Sequence, residues 1–369
     1  MSKKPANVKK KPIQKKGADT MKLDEHKMVL SETAIAEAQK AHDRAVGEFL
    51  DPARLRSNVV GLGIGVKWKN GQPTGEPALV VLVSQKLEKD QLSADDMVKS
   101  KLAEMQTDVL AIGYPFAGEG EPQEAGIQSL ARRIRPAEGG YSIGHFKITA
   151  GTIATCVYDI LPGGKVSPPA HGIGIPRRYY ILSNNHVLAN SNNAALGDPI
   201  LQPGQFDGGA DPADRIARLS RFIPIIFEPP VPRALHKNLV DAAVAEGQFH
   251  DLDREIYWIG YVRGWRRKAN VRVGTIVQKT GRTTNYTTGR ITAINATVDV
   301  GYGGGRVARF RDQIVTTNIS AGGDSGSLVT TLDDVAVGLL FAGSSIATIV
   351  NQIENVRSLL KIEVTEQIL

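Results

Sequence analysis

From Tyr141 onward the chain is a succession of short apolar runs, rich in β-branched residues and separated by Gly, Pro and Asn. HFKITAGTIATCVYDI, RRYYILSNNHVLA, VRVGTIVQKTGR, TGRITAINATVDV, RDQIVTTNI and VAVGLLFAG follow one another in this way. β-Branched side chains pack well on a pleated surface and lose rotamer freedom in a helix. Their repetition at short intervals between turn signals predicts an all-β sandwich or barrel, and roughly 230 residues is ample for two small barrels packed together. Only the last stretch, with Ile353, Val356 and Leu360 on one face, reads as a helix.

Ahead of this region the texture is mixed. Ser31 can cap a helix that puts Ile35, Ala38, Ala45 and Phe49 on one side before Asp51-Pro52 ends it. Val59 to Trp68 and Ala78 to Ser84 read as strands around Asn70-Gly71, a hairpin turn signal with extra loop. Ser93 to Asp96 resembles a capping box, and Val98, Leu102 and Met105 follow at helical spacing, so a second helix is expected before a strand at Thr107 to Gly113. The expected organisation is a Lys-rich, disordered tail over 1–27, a small α/β domain over 28–134, and a mainly β domain over 135–369. Gly61, Gly63 and Gly65 do not complete a dinucleotide fingerprint, because the third glycine would fall on Val66 and no helix follows. Close backbone approach within a strand explains them better.

The formal net charge of +7 does not make this a basic protein. Residues 1–22 hold eight lysines and one acid, Asp19, so the rest of the chain is formally neutral. Contact of that tail with nucleic acid or anionic lipid is the lesser reading, and solvation the default. The basic run Arg263, Arg266, Arg267, Lys268 and Arg272 around Trp265 likewise reads as a solvated loop. The N-terminal sequence lacks the apolar core of a signal peptide, and no stretch reaches the roughly 18 apolar residues of a membrane span. A cytoplasmic, reducing setting is the expectation. One cysteine, Cys156, excludes an internal disulfide and a Cys₄ zinc site, and its strand context reads as a core thiol. No pair of histidines has metal-binding helical spacing, so no metal is expected.

Acyl transfer to a serine needs an activated hydroxyl, a base held in one tautomer, and donors waiting for the oxyanion. Ser325 lies in Ala321-Gly322-Gly323-Asp324-Ser325-Gly326, where flanking glycines allow a tight loop and let the N–H groups of Gly323 and Ser325 converge. Alone, such a segment would be a surface turn. His186 stands at the end of an apolar strand in Ile181 to Ala189, a place where a lone histidine is usually a satisfied core residue. Asp241 is set among eight otherwise uncharged residues from Asn238 to Ala245, and burying it is costly unless something pairs with it. A strand-edge Asp facing water is the bland alternative.

SNNHVLA, VDAAVA and GDSGSLV, in that order, resemble the chymotrypsin/trypsin-like serine peptidases. More narrowly, Arg133-Ile134-Arg135-Pro136-Ala137, Gly139 to His145 and Ala150-Gly151-Thr152 resemble the trypsin-like group that includes the plant NARROW LEAF 1 protein. The resemblance runs from about residue 55 to the C-terminal helix. It implies a chymotrypsin-like double β-barrel with His186 as general base, Asp241 as its orienter, Ser325 as nucleophile, and Gly323 and Ser325 as oxyanion donors. By the same analogy Ile319 forms the floor of the primary substrate pocket and Ala342 and Gly343 its wall, which predicts cleavage after small-to-medium apolar residues. No free Ile or Val N-terminus can be generated in the usual place without cleavage, so Asp324 is not assigned the zymogen-activation role, and the site is expected to be preformed or controlled by the leading domain. The implied activity is a serine endopeptidase acting on protein or peptide substrates without a cofactor, with homo-oligomerisation left open. The alternative is a catalytically quiet scaffold of the same fold that binds a partner protein.

Overall fold

Six strands of the second half close into a ring. In order around it they are Ile276–Gly281, Leu328–Thr331, Val335–Gly343, Ala347–Gln352, Val307–Thr317 and Asn285–Gly301, and the last pairs back onto the first. Closure satisfies every strand edge, which an open sheet of such apolar strands could not do in water. A second sheet of eight short strands runs Ile362–Glu363, Thr155–Asp159, Tyr179–Ser183, Ala243–Gly247, Arg215–Phe222, Pro199–Leu201, Ser142–His145 and Gly151–Thr152. The expected mainly β architecture, with two barrel-like sheets, is what this chain forms. These details come from a computed structural model that describes residues 24–51, 54, 56–93, 96–117, 130–160 and 178–365. The Lys-rich segment 1–22 and most of the loop AGEGEPQEAG lie outside the described residues.

Helix Glu32–Phe49 starts where expected, with Ser31 Oγ accepting from the N–H of Ala34 at 3.2 Å. Its Ala41, Ala45 and Phe49 pack on Leu62, Leu79 and Val81 of the hairpin beneath. That hairpin, Val59–Lys69 with Gln72–Val83, turns through Asn70 and Gly71 alone, both at positive φ, so no extra loop is present. Val59–Lys69 also pairs antiparallel with Asn285–Gly301, so the hydrogen-bonded sheet runs from the leading segment into the closed ring. A Cβ on Gly61 would lie 2.5 Å from the Thr297 carbonyl oxygen, which accounts for glycine in that strand.

The helix expected after Ser93 does not form. Among the described residues, Lys101–Leu102 and Met105–Ala111 are strands, and the latter pairs parallel with Gln72–Val83. Leu102 and Met105 pack against the Leu79–Val81 cluster from strands, so tertiary pairing overrides the helical spacing of these apolar residues. The terminal helix Ile353–Leu360 buries Ile353, Val356 and Leu360 as expected. In the basic run, Lys268 meets Asp312 at 3.0 Å and Arg272 meets Glu32 at 3.2 Å, while Trp265 stacks under Arg357. Cys156 is buried, and burial pushes its thiol up to about 12, as suits an inert core group.

Candidate active site

Strand Tyr179–Ser183 is buried along its whole length and runs into a short helix, Asn185–Leu188, which carries His186. The neighbouring strand Ala243–Gly247 aligns Ala243 with Ser183, so Asp241, two residues before it, arrives beside the histidine. The side chains meet with His186 Nδ1 2.6 Å from Asp241 Oδ2, and the main-chain N–H of His186 donates to Oδ1 at 3.1 Å. A carboxylate accepts only, so Nδ1 carries the proton of this bond and a neutral imidazole then has Nε2 free to accept. Asp241 has no exposed surface, and these bonds offset the cost of burying its charge.

Ser325 comes from the other sheet. Its turn precedes Leu328–Thr331, four fully buried residues that anchor it. Gly323 and Gly326 adopt φ of 97° and 100°. A Cβ on Gly326 would lie 2.1 Å from Ser183 Oγ, so only glycine fits between the Ser325 loop and the strand that leads to His186. Thr152 ties the loop down: its N–H donates to the Ser325 carbonyl at 2.8 Å and its hydroxyl to the Gly323 carbonyl at 2.8 Å. With those carbonyls held, and among the described residues, no acceptor takes the N–H of Gly323 or of Ser325. Both N–H groups therefore remain available to an acceptor from outside the chain.

Asp324 fixes the same loop from behind. Its carboxylate accepts from the N–H groups of Ala321, Thr283 and Thr284 and from Thr284 Oγ1 at 2.6 Å. Lys279 Nζ lies 3.4 Å away, with both side chains fully buried. Desolvation lowers the Lys279 ammonium's pKa, while Asp324 pulls it back up. The ammonium also donates to Thr284 Oγ1 and to the Asn285 carbonyl. The internal Lys279 thus supplies a counter-charge to the buried Asp324 carboxylate.

His186 and Ser325 line one cleft of about 860 Å³. Gly323, Ala342 and Gly343 line it too. Ile319 does not: it is 2% exposed and belongs to the core cluster with Val337 and Leu340, while Asn318 and Ser320 on either side of it face the cleft. Ile319 is therefore a core residue rather than part of the cleft lining. Phe116 lines the cleft beside Gly343: its N–H donates to the Gly343 carbonyl at 3.0 Å and its carbonyl accepts from the Gly343 N–H at 3.2 Å. Ala117 and Pro115 bond Gly301 in the same manner.

No family model matches the chain. Over 95 residues it is 38% identical to Serine protease 2 of Streptomyces fradiae, a stretch that is 25% of this chain and 45% of that protein. The chain thus spans less than half the length of this curated relative. Among solved structures it resembles Thermobifida fusca protease A, at 15% identity and a TM-score of 0.41, covering 61% of this chain and 96% of that one. It also resembles Nocardiopsis protease, at 17% identity and a TM-score of 0.41 over 62% and 98% of the two chains.

Sequence reasoning left several residues of this site without a role. Thr152 was part of a quoted motif, but its two bonds to the Ser325 loop cross more than 170 residues of chain. Lys279 carried no clear signal, since its neighbours Gln278 and Thr280 are polar and only the fold buries it beside Asp324. Phe116 carried none, since it reaches the cleft only through pairing with distant parts of the chain at Gly301 and Gly343.

Proposed function

We propose that the chain is a serine endopeptidase that cleaves peptide bonds through an acyl-enzyme. The observation that carries this reading is the buried His186–Asp241 hydrogen bond of 2.6 Å at the wall of a cleft that Ser325 also lines. Ser325 Oγ attacks the scissile carbonyl as His186 Nε2 takes its proton, and Asp241 steadies the imidazolium that results. The N–H groups of Gly323 and Ser325 receive the oxyanion. His186 then returns the proton to the leaving amine, and water repeats the sequence to release the acid. The curated relative is a serine protease, which supports the same reading. Within this proposal, the Arg133–Ala137 and Gly139–His145 motifs place the chain beside the NARROW LEAF 1-type group, and residues 28–134 serve as a leading domain that contributes Phe116 to the cleft.

The test is fluorophosphonate labelling of the full chain beside Ser325→Ala, with the modified peptide mapped by mass spectrometry. Labelling at Ser325 that is lost in the variant is the expected result. A folded wild-type protein that resists the reagent would overturn the proposal and favour a scaffold.

The cleft also bears on substrate choice. Its lining among the described residues includes Val187, Leu340 and Ala342 but no Asp or Glu, so a substrate cation would be desolvated without a partner. The proposed preference is for small-to-medium apolar side chains at the cleaved position, with Lys and Arg disfavoured. Phe116 limits the space, so Phe116→Ala is expected to raise kcat/KM for bulky aromatic side chains relative to alanine by about tenfold. A peptide series varied at one position measures that ratio, and an unchanged ratio would exclude the Phe116 ring from specificity.

A further inference from the structure

Tyr302 follows strand Asn285–Gly301 and opens the Gly303-Gly304-Gly305 turn, whose three residues all adopt positive φ. The turn folds back so that the Tyr302 N–H donates to the Arg306 carbonyl at 2.9 Å, and the side chain is driven inward with no exposed surface. Its ring packs edge-on against Phe227 at 5.1 Å and stacks with Phe310 at 6.1 Å between centroids. A phenylalanine would fill this apolar space as well, and a buried hydroxyl without a partner is costly. The Tyr302 hydroxyl has a partner: it donates to Asp241 Oδ2 at 2.7 Å, the same oxygen that meets His186 Nδ1. The ring also stands edge-on to the imidazole, 6.1 Å between centroids at 79°. Burial and the adjacent Asp241 carboxylate hold the phenol's pKa well above its ordinary value, so it remains a neutral donor.

We propose that Tyr302 is a positioning residue for the proposed triad, locking the rotation of the Asp241 carboxylate so that Oδ2 faces His186 Nδ1 and Oδ1 faces the His186 main chain. The three donors approach from different directions: Nδ1–H and the hydroxyl at Oδ2, and the main-chain N–H at Oδ1. Without the hydroxyl, the carboxylate keeps donors from the His186 residue alone and can twist with it. Tyr302 follows a strand of the closed ring, whereas Asp241 precedes a strand of the eight-stranded sheet, so the bond also couples the orientation of the base to the packing of the two sheets.

This inference rests on the peptidase reading for its kinetic arm but not for its spectroscopic one. In the full chain, Tyr302→Phe is expected to lower kcat by about tenfold to a hundredfold with KM little changed. In an Asp241→Asn background the same substitution should cost nothing further, because both act through one carboxylate. Independently of turnover, the proton NMR resonance of His186 Nδ1–H, identified by its absence in His186→Ala, should move in Tyr302→Phe. If that variant fails to fold, a more acidic fluorinated tyrosine placed at 302 keeps ring and hydroxyl and should move the same resonance. A folded variant with unmoved resonance and unchanged kcat overturns the proposal. A moved resonance in a protein that neither turns over peptides nor takes fluorophosphonate supports the positioning role while the peptidase reading fails.

Discussion

Asp241→Asn is expected to lower kcat by about four orders of magnitude while leaving the fold in place. The direction follows from counting donors. In the wild-type site Oδ2 accepts from His186 Nδ1 and from Tyr302, and Oδ1 accepts from the His186 main chain. An asparagine offers one acceptor oxygen and an amino group with two donors. If its oxygen takes the Oδ2 position, its amino group is forced against the His186 N–H, and two buried donors face each other. If its amino group takes that position, both N–H bonds find acceptors, provided that Tyr302 turns its hydroxyl around and His186 moves its proton to Nε2. The second arrangement avoids the clash and is the one expected. It leaves the histidine in the tautomer that cannot accept the Ser325 proton. The measurement is kcat on a peptide substrate, with a thermal melt close to wild type as the control for folding. A loss below tenfold in a folded variant would remove Asp241 from the proposed mechanism.

The residues that were legible in the sequence share a local cause. His186 could be picked out because an apolar strand delivers it to a strand end, and Asp241 because an isolated charge in an apolar stretch demands a partner. The Ser325 loop was marked by its glycines, of which Gly323 and Gly326 adopt positive φ. The β texture was readable for the same reason: β-branched runs and turn residues act over a few positions. What stayed illegible depends on long-range pairing. Phe116 reaches the cleft because Gly343 and Gly301 bond its neighbourhood, and nothing near residue 116 announces that. The attachment of the leading hairpin to the closed ring is a register match between Val59–Lys69 and Asn285–Gly301, which neither strand encodes alone. Ile319 shows the limit of a position counted from a motif: packing against Gly289 turns it inward, and its neighbours face the cleft instead.

Lys279→Met should be the most damaging substitution away from the proposed triad. Methionine fills much of the lysine's apolar stem but removes the ammonium, leaving Asp324 buried with hydrogen-bond donors and no counter-charge. Breaking one side of a buried ion pair costs about 3–5 kcal/mol of stability. The consequence reaches function because Asp324 organises the loop: its oxygens hold the N–H groups of Ala321, Thr283 and Thr284 while Thr152 holds the carbonyls of Gly323 and Ser325. An uncompensated carboxylate relieves itself by taking a proton or by turning toward water. Either response loosens the loop from one side only. The proposed oxyanion donors, the N–H groups of Gly323 and Ser325, are then displaced, and losing one such donor costs about a hundredfold to a thousandfold in kcat. Chemical denaturation and peptide turnover read the two losses separately. The double variant Lys279→Met with Asp324→Asn should recover much of the stability, since a neutral amide no longer needs a counter-charge, yet little of the turnover, because the amide cannot accept every bond that the carboxylate does. A single variant as stable and active as wild type would mean that hydrogen bonds alone hold Asp324, and would remove the ion pair from the ordering of this loop.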